Sequence, residues 1–189
     1  VWEQAGTQLG LQGLAIPESY GGAGFSFAEQ AVVLEEFGAA LYGGPYLASA
    51  VLAATALLAS PDEGARSGLL PDIASGQTVA TLAFTEDGGS WDPAAIRLSA
   101  VKDGEAWRLD GHKSFVLDGA TAGLILVAAT TDAGLSLFAV EGDADGLSRV
   151  ALPALDQTRQ LARLEFAGVT GALIGSPGDG AAALDRALD

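Results

Sequence analysis

The spacing of apolar residues changes character near residue 77. Up to Gly76 they recur at helical intervals; from Thr78 they come in short β-rich runs separated by Gly and Asp. Trp2, Ala5 and Leu9 share one helical face at the start. Gly10 and Gly13 then bracket Leu11 to Ile16, and a glycine-dense loop runs from Pro17 to Gly24. Ser26-Phe27-Ala28-Glu29 has the form of a capping box and predicts a helix that stops near Gly38. Its Glu35 and Glu36 are adjacent and do not face each other, so they read as a solvated face rather than an acid–base pair. After the break at Gly43-Gly44-Pro45, Tyr46 to Ser60 is almost wholly apolar, which predicts a helix buried on most sides. Ser60-Pro61-Asp62-Glu63 predicts the cap of a further helix, with Pro61 at its first position, running to about Leu69. A separate short turn follows, Leu70 to Gly76.

In the second part, Thr78 to Phe84 is a β-rich run that breaks into the polar loop Thr85 to Ser90. Ala106 to Leu109 and Lys113 to Leu117 predict two strands around a turn at Asp110-Gly111. Leu124 to Thr131 and Leu135 to Val140 pair across Asp132-Ala133-Gly134. Arg163 to Phe166 and Ala172 to Ile174 are the last strands, and Ser176-Pro177 begins a helix. The fold class is therefore α+β. We expect a helical N-terminal domain over 1–76, an antiparallel β-barrel or sandwich over 77–175, and the start of a C-terminal helical bundle over 176–189.

Composition narrows the function. The 189 residues carry Lys+Arg 9 against Asp+Glu 24, a formal net charge of −15. That argues against nucleic acid and anionic membrane surfaces, which need a basic footprint. Arg66 is the only cation before Arg97, so an anionic ligand has to be met in the second part or by backbone N–H groups. Cys is absent, which removes disulfides, thiolate catalysis and Cys-ligated metals. No apolar run is long enough to span a bilayer, and we expect a cytoplasmic protein. The chain starts at Val1 and has no Met, as expected of an internal piece of a longer polypeptide.

Candidate chemistry gathers between Thr78 and Gly119. Gly88 and Gly89 let a flat ligand approach main-chain N–H groups. Two strand ends that offer a hydroxyl, an aromatic and free amides could hold the edge of a heterocycle; an ordinary hairpin region with glycine turns fits the same pattern. His112, the only histidine, has no nucleophile beside it in sequence and is assigned no catalysis. The acidic turn Glu141 to Gly146 lacks a neighbouring His and the spacing of a calcium loop, so no metal site is expected. No phosphate-loop or dinucleotide fingerprint follows a strand.

Several motifs, in order, resemble the acyl-CoA dehydrogenases. Leu9-Gly10-Leu11 with Ile16-Pro17-Glu18-Ser19-Tyr20-Gly21-Gly22-Ala23-Gly24 is similar to that family's N-terminal signature loop. Gly76 followed by Ala83-Phe84-Thr85-Glu86 resembles its flavin-binding strand, and Gly111-His112-Lys113-Ser114-Phe115-Val116 its Gly-x-Lys strand. Leu155-Asp156-Gln157-Thr158-Arg159 with Leu164-Glu165-Phe166-Ala167-Gly168-Val169 matches the next block, and Ile174-Gly175 leading into Gly178-Asp179-Gly180 resembles the entry to its C-terminal bundle. Five motifs in register span nearly the whole chain.

The resemblance implies FAD as cofactor and an acyl-CoA thioester as substrate. A carboxylate takes the α-proton while the β-hydride passes to flavin N5. It implies Leu82, Phe84 and Thr85 along the flavin, with backbone amides and the Thr85 hydroxyl at the pyrimidine edge. Ser90 or Trp91 falls where the family has a Ser touching flavin phosphate or substrate. Phe115, Val116 and Leu117 fall on the strand that packs an aromatic on the isoalloxazine. It also implies an electron-transfer flavoprotein as acceptor, a homo- or hetero-oligomer, and a base beyond Asp189, so no catalytic residue is named.

Three departures stand out. Asp87 replaces the usual Pro after Thr-Glu, Phe115 replaces the usual Trp, and Leu117 replaces a Thr near N5. They leave open a catalytically degenerate structural subunit of a hetero-oligomeric acyl-CoA dehydrogenase, and a flavin-dependent monooxygenase on the same fold.

Overall fold

A computed structural model describes residues 1–189. Helix α1 (Trp2–Thr7) ends before Leu9, which is exposed rather than sharing the inward face of Ala5. The glycine-dense loop folds on itself: Ala23, Gly24 and Phe25 donate N–H bonds back to Gly13, Ile16 and Leu14, each at 2.9 Å. A Cβ on Gly22 would lie 2.0 Å from the Ile16 carbonyl oxygen, so only glycine closes this loop.

Helix α2 (Phe27–Ala39) starts at the expected box, with the Ser26 hydroxyl accepting the Ala28 N–H and Glu29 accepting the Ser26 N–H at 2.9 Å. The apolar segment after Pro45 is buried as expected, but begins as a π-helical stretch (Leu47–Ala53) that continues as α3 (Ala54–Ala59). The cap of α4 (Glu63–Ala74) is Asp62, not Ser60, and accepts the Ala65 N–H at 3.0 Å. Pro61 lies before that cap. The helix runs through Pro71 to Ala74 instead of stopping near Leu69, because Leu70 and Ile73 are fully buried and hold the last turn in place. Burying two such side chains contributes about 4 kcal/mol, more than the roughly 3 kcal/mol an interior proline costs.

The strands are β1 (Ala80–Ala83), β2 (Ser99–Asp103), β3 (Ala106–Leu117), β4 (Leu124–Thr131), β5 (Gly134–Glu141), β6 (Leu147–Leu152) and β7 (Leu161–Ile174). They run in the order β1-β4-β2-β3-β7-β5, and β5 pairs back onto β4, so five strands close a barrel. The β2–β4 seam is thin, held by one register pair, Ser99 with Thr130. β1 lies parallel to β4 at one side, and β6 adds to β7 at the other.

One expected turn and one expected break between strands are absent. Asp110-Gly111 lies inside the continuous strand β3, where pairing with β7 slips between Leu109 and Asp110; Gly111 takes φ +134° there, with Leu98 packed against it. The hairpin turn lies earlier, between β2 and β3. The last two expected strands are likewise one strand, β7.

Strand alternation builds two cores. Leu124, Leu126 and Ala128 of β4 face the helices and join Ile16, Leu57, Leu70 and Ile73. Ile125, Val127 and Ala129 face the barrel interior with Leu109, Phe138 and Leu164. Helix α5 (Gly180–Leu188) begins after the turn at Ser176-Pro177 and buries Ala183, Leu184 and Ala187 in the first core. No helix is long and apolar enough to cross a membrane.

Candidate functional site

Where β1 ends, the chain leaves the barrel wall and remains tied to β3 residue by residue. Thr85 and Ser114 form a pair: the Ser114 N–H donates to the Thr85 carbonyl at 2.9 Å and the Thr85 hydroxyl to the Ser114 carbonyl at 2.5 Å. Glu86 faces Lys113, whose ammonium donates to it at 3.0 Å and to the Phe84 carbonyl at 3.2 Å. Asp87 faces His112 at 3.2 Å and also takes the Ser114 hydroxyl and the Arg163 guanidinium, the latter at 2.6 Å. The three contacts run in antiparallel register with β3, although β1 itself pairs only with β4.

These charges perturb one another. Burial pulls the Lys113 ammonium down to about 8, against the attraction of Glu86. Burial pulls the Glu86 carboxyl up, but the Leu98 and Arg97 N–H groups and Lys113 together hold it below the usual carboxylate range. The Ser114 hydroxyl, then Arg163, hold Asp87 low. Just past β3, burial pushes Asp118 up to about 6, opposed by Arg159.

Between Lys113 and Val116 the β3–β7 pairing slips again, and Phe115 adopts φ +59°. A left-handed backbone costs an aromatic residue roughly 1–2 kcal/mol, and here it turns the ring out of the barrel, 46% exposed. Leu117 lines the same outer cavity. Val116 points the other way into the barrel core at 2% exposure, so its side chain lines nothing outside.

The outward residues meet a cavity of about 520 Å³. Leu82, Phe84, Thr85, Phe115 and Leu117 line it from the barrel, Trp91 and Gly89 from the loop, and Leu161 from β7. Leu47 and Leu52 from the π-helical segment and Ala187 and Leu188 from α5 complete it. Trp91 packs edge-on to Phe84, ring centroids 5.5 Å apart, and is 64% exposed. The N–H groups of Thr85, Gly88, Ser90 and Trp91 have no acceptor within the chain.

Six of the eight residues singled out from sequence thus share one cavity. Ser90 lies beside it, in a smaller hollow with Glu86 and Gly88 that also touches Phe84, and the Val116 side chain does not line it. Sequence reasoning missed the helical wall, whose Leu47 and Leu52 read only as core. It also missed the side-chain pairing of 85–87 with 114–112, for which the acidic pair after Thr85 and the lone cations of β3 were the available signal.

Two family models match the chain: acyl-CoA dehydrogenase, N-terminal domain, over residues 1–77, and acyl-CoA dehydrogenase, middle domain, over residues 81–169. A (2S)-methylsuccinyl-CoA dehydrogenase of Cereibacter sphaeroides is 34% identical over 145 residues, 73% of this chain and 26% of that protein. Among solved structures, a glutaryl-coenzyme A dehydrogenase in complex with glutaryl-CoA superposes with TM-score 0.90 at 26% identity, covering 98% of this chain and 50% of that one. An acyl-CoA dehydrogenase from Bacillus anthracis complexed with FAD gives TM-score 0.88 at 27% identity, covering 99% of this chain and 33% of that one. The chain therefore spans half or less of each of these proteins.

Proposed function

Because this chain belongs to the acyl-CoA dehydrogenase family, we propose that the whole protein is an FAD-dependent acyl-CoA dehydrogenase whose isoalloxazine ring occupies the cavity beside β3. One observation carries this reading: Leu82, Phe84, Thr85, Phe115 and Leu117, from two distant strand ends, converge on a single apolar cavity. Its volume of about 520 Å³ falls in the range of small-molecule and cofactor sites, roughly 300–1,000 Å³. Aromatic faces and unpaired N–H groups on one wall suit a flat heterocycle with a polar edge.

When bound, FAD supplies the two-electron acceptor for the hydride leaving the acyl β-carbon. The residues of this chain position and exclude. Leu82, Leu117 and Leu161 keep water from the reacting face; Phe84 and Phe115 offer packing surfaces. The N–H groups of Thr85 and Trp91 and the lone pairs of the Thr85 hydroxyl orient the polar edge. Trp91, on the exposed side of the cavity, and Ser90, in the hollow beside it, serve the cofactor and the acyl-CoA thioester. None of the twelve cavity residues ionises near neutral pH. The α-proton therefore goes to a carboxylate outside this wall, which the family resemblance assigns to the C-terminal helical domain. The acceptor that the resemblance implies for bound FAD would be an electron-transfer flavoprotein, and the enzyme an oligomer.

A second reading is a subunit that keeps the fold without catalysis. Leu117 favours it, because the wall then lacks a side-chain donor at that point. The visible spectrum of the complete protein separates the two. A flavin band that bleaches under anaerobic acyl-CoA supports the dehydrogenase; a colourless protein in the presence of added FAD supports the structural subunit.

A further inference from the structure

The loop that carries Gly89 and Trp91 to the cavity has few restraints of its own. Beyond Asp87, the Gly89 N–H closes a turn onto the Glu86 carbonyl at 2.8 Å and Trp91 packs on Phe84; Gly88 and Gly89 have no side chain to hold anything. Among the side chains of residues 87–91, only that of Asp87 is hydrogen-bonded to the barrel. Its carboxylate takes hydrogen bonds from two strands, the Ser114 hydroxyl of β3 and Arg163 of β7, and His112 Nε2 of β3 lies 3.2 Å away. Arg163 is itself fixed by Glu165 at 3.0 Å and donates to the buried Ser114 hydroxyl at 3.2 Å. Charge-assisted bonds of this kind are stronger than neutral ones and directional.

We infer that Asp87 is a positioning residue, a carboxylate latch that holds the Gly88–Trp91 segment against the cavity and so presets it for the planar cofactor. The chain uses the latch where the family resemblance expects a proline, supplying from the barrel a rigidity that proline would supply within the loop. This inference rests on the flavin reading of the cavity. Asp87 is 60% exposed at its side chain, so its removal opens no core.

The test uses the complete protein, prepared as apoprotein, with FAD itself as the probe. Asp87→Ala should weaken FAD binding about tenfold, the loss of one charge-assisted hydrogen bond's worth of preorganisation. Hydrogen exchange at the amides of Gly88 to Trp91 should speed up, with little change in thermal midpoint. Asp87→Asn keeps an oxygen for Ser114 and Arg163 and should recover most of the affinity, whereas Asp87→Leu, which keeps bulk without an acceptor, should bind as weakly as Asp87→Ala. Wild-type affinity in Asp87→Ala, with or without faster exchange, overturns the positioning role. A wild-type protein that takes up no FAD overturns the flavin reading instead; the exchange comparison then decides the latch alone, and unchanged exchange overturns it.

Discussion

Lys113 makes an alkaline signature that can be worked from the structure. Its side chain has no exposure, and burial brings its pKa from 10.5 to about 8 in spite of Glu86 at 3.0 Å. The unfolded chain holds this proton up to about 10.5; the folded protein releases it near 8. Between these values the unfolded state binds more protons, so stability rises with pH across that window and is flat below it. The difference between 10.5 and about 8, at 1.36 kcal/mol per pH unit, sets a ceiling of about 3 kcal/mol. Losing the charge does not orphan the partner, because Glu86 still accepts the Arg97 and Leu98 N–H groups at 2.9 and 2.8 Å. Other groups titrate in the same range, so the measurement is a difference. Wild type and Lys113→Met are unfolded thermally and by denaturant in the complete protein, at intervals from pH 7 to 10.5. The stability of wild type relative to the variant should climb by up to about 3 kcal/mol from pH 8 upward. A flat or falling difference would refute the burial argument.

Other perturbations address separate features. Phe115→Gly relieves a left-handed backbone at φ +59° and should leave stability unchanged or raise it by about 1 kcal/mol, while FAD affinity in the complete protein falls; calorimetry and flavin titration read the two effects apart. Gly22→Ala drives a methyl into the Ile16 carbonyl and should cost more than about 2 kcal/mol, seen as a lower denaturant midpoint. Asp118 has a folded pKa of about 6 against 3.8, so the folded state binds more protons between those values and stability declines as pH rises through them. Asp118→Asn should therefore stabilise above pH 6 by about 1 kcal/mol once solvent screening is allowed for, with no gain below pH 4, as pH-dependent melting would show. Asn also tolerates the φ of +53° at this position.

The sequence was most informative where local chemistry decided the structure. The Ser26–Glu29 box and the β4–β5 hairpin follow from residues within a few positions of each other. It misled where distant partners decided. Asp110-Gly111 carries a hairpin signature, yet pairing with β7 on both sides draws the strand straight through it. Pro71 marks a helix end in isolation, but the burial of Leu70 and Ile73 beneath the barrel outweighs it. β6 was not anticipated because Leu147 to Leu152 is half-exposed and exists only as an edge against β7. At the cavity, alternation sets Leu117 apart from Val116; the bulge that turns Phe115 outward depends on register with β7, which no local pattern encodes.

The two faces of β4 have a consequence for how such chains are recombined. Gly76 to Thr78, the change from helical to β rhythm, looks like a natural joint for exchanging halves between relatives. The joint runs through a shared wall. Leu124, Leu126, Ala128, Leu137 and Ile174 belong to the barrel by chain position, yet they pack with Ile16, Leu57, Leu70 and Ile73 from the helices. A chimera cut there would inherit each half of one packed interior from a different parent, with no history of mutual adjustment. Point substitutions confined to the barrel-facing positions, Ile125, Val127, Ala129 and their partners, would exchange the other interior while leaving the helical seam native.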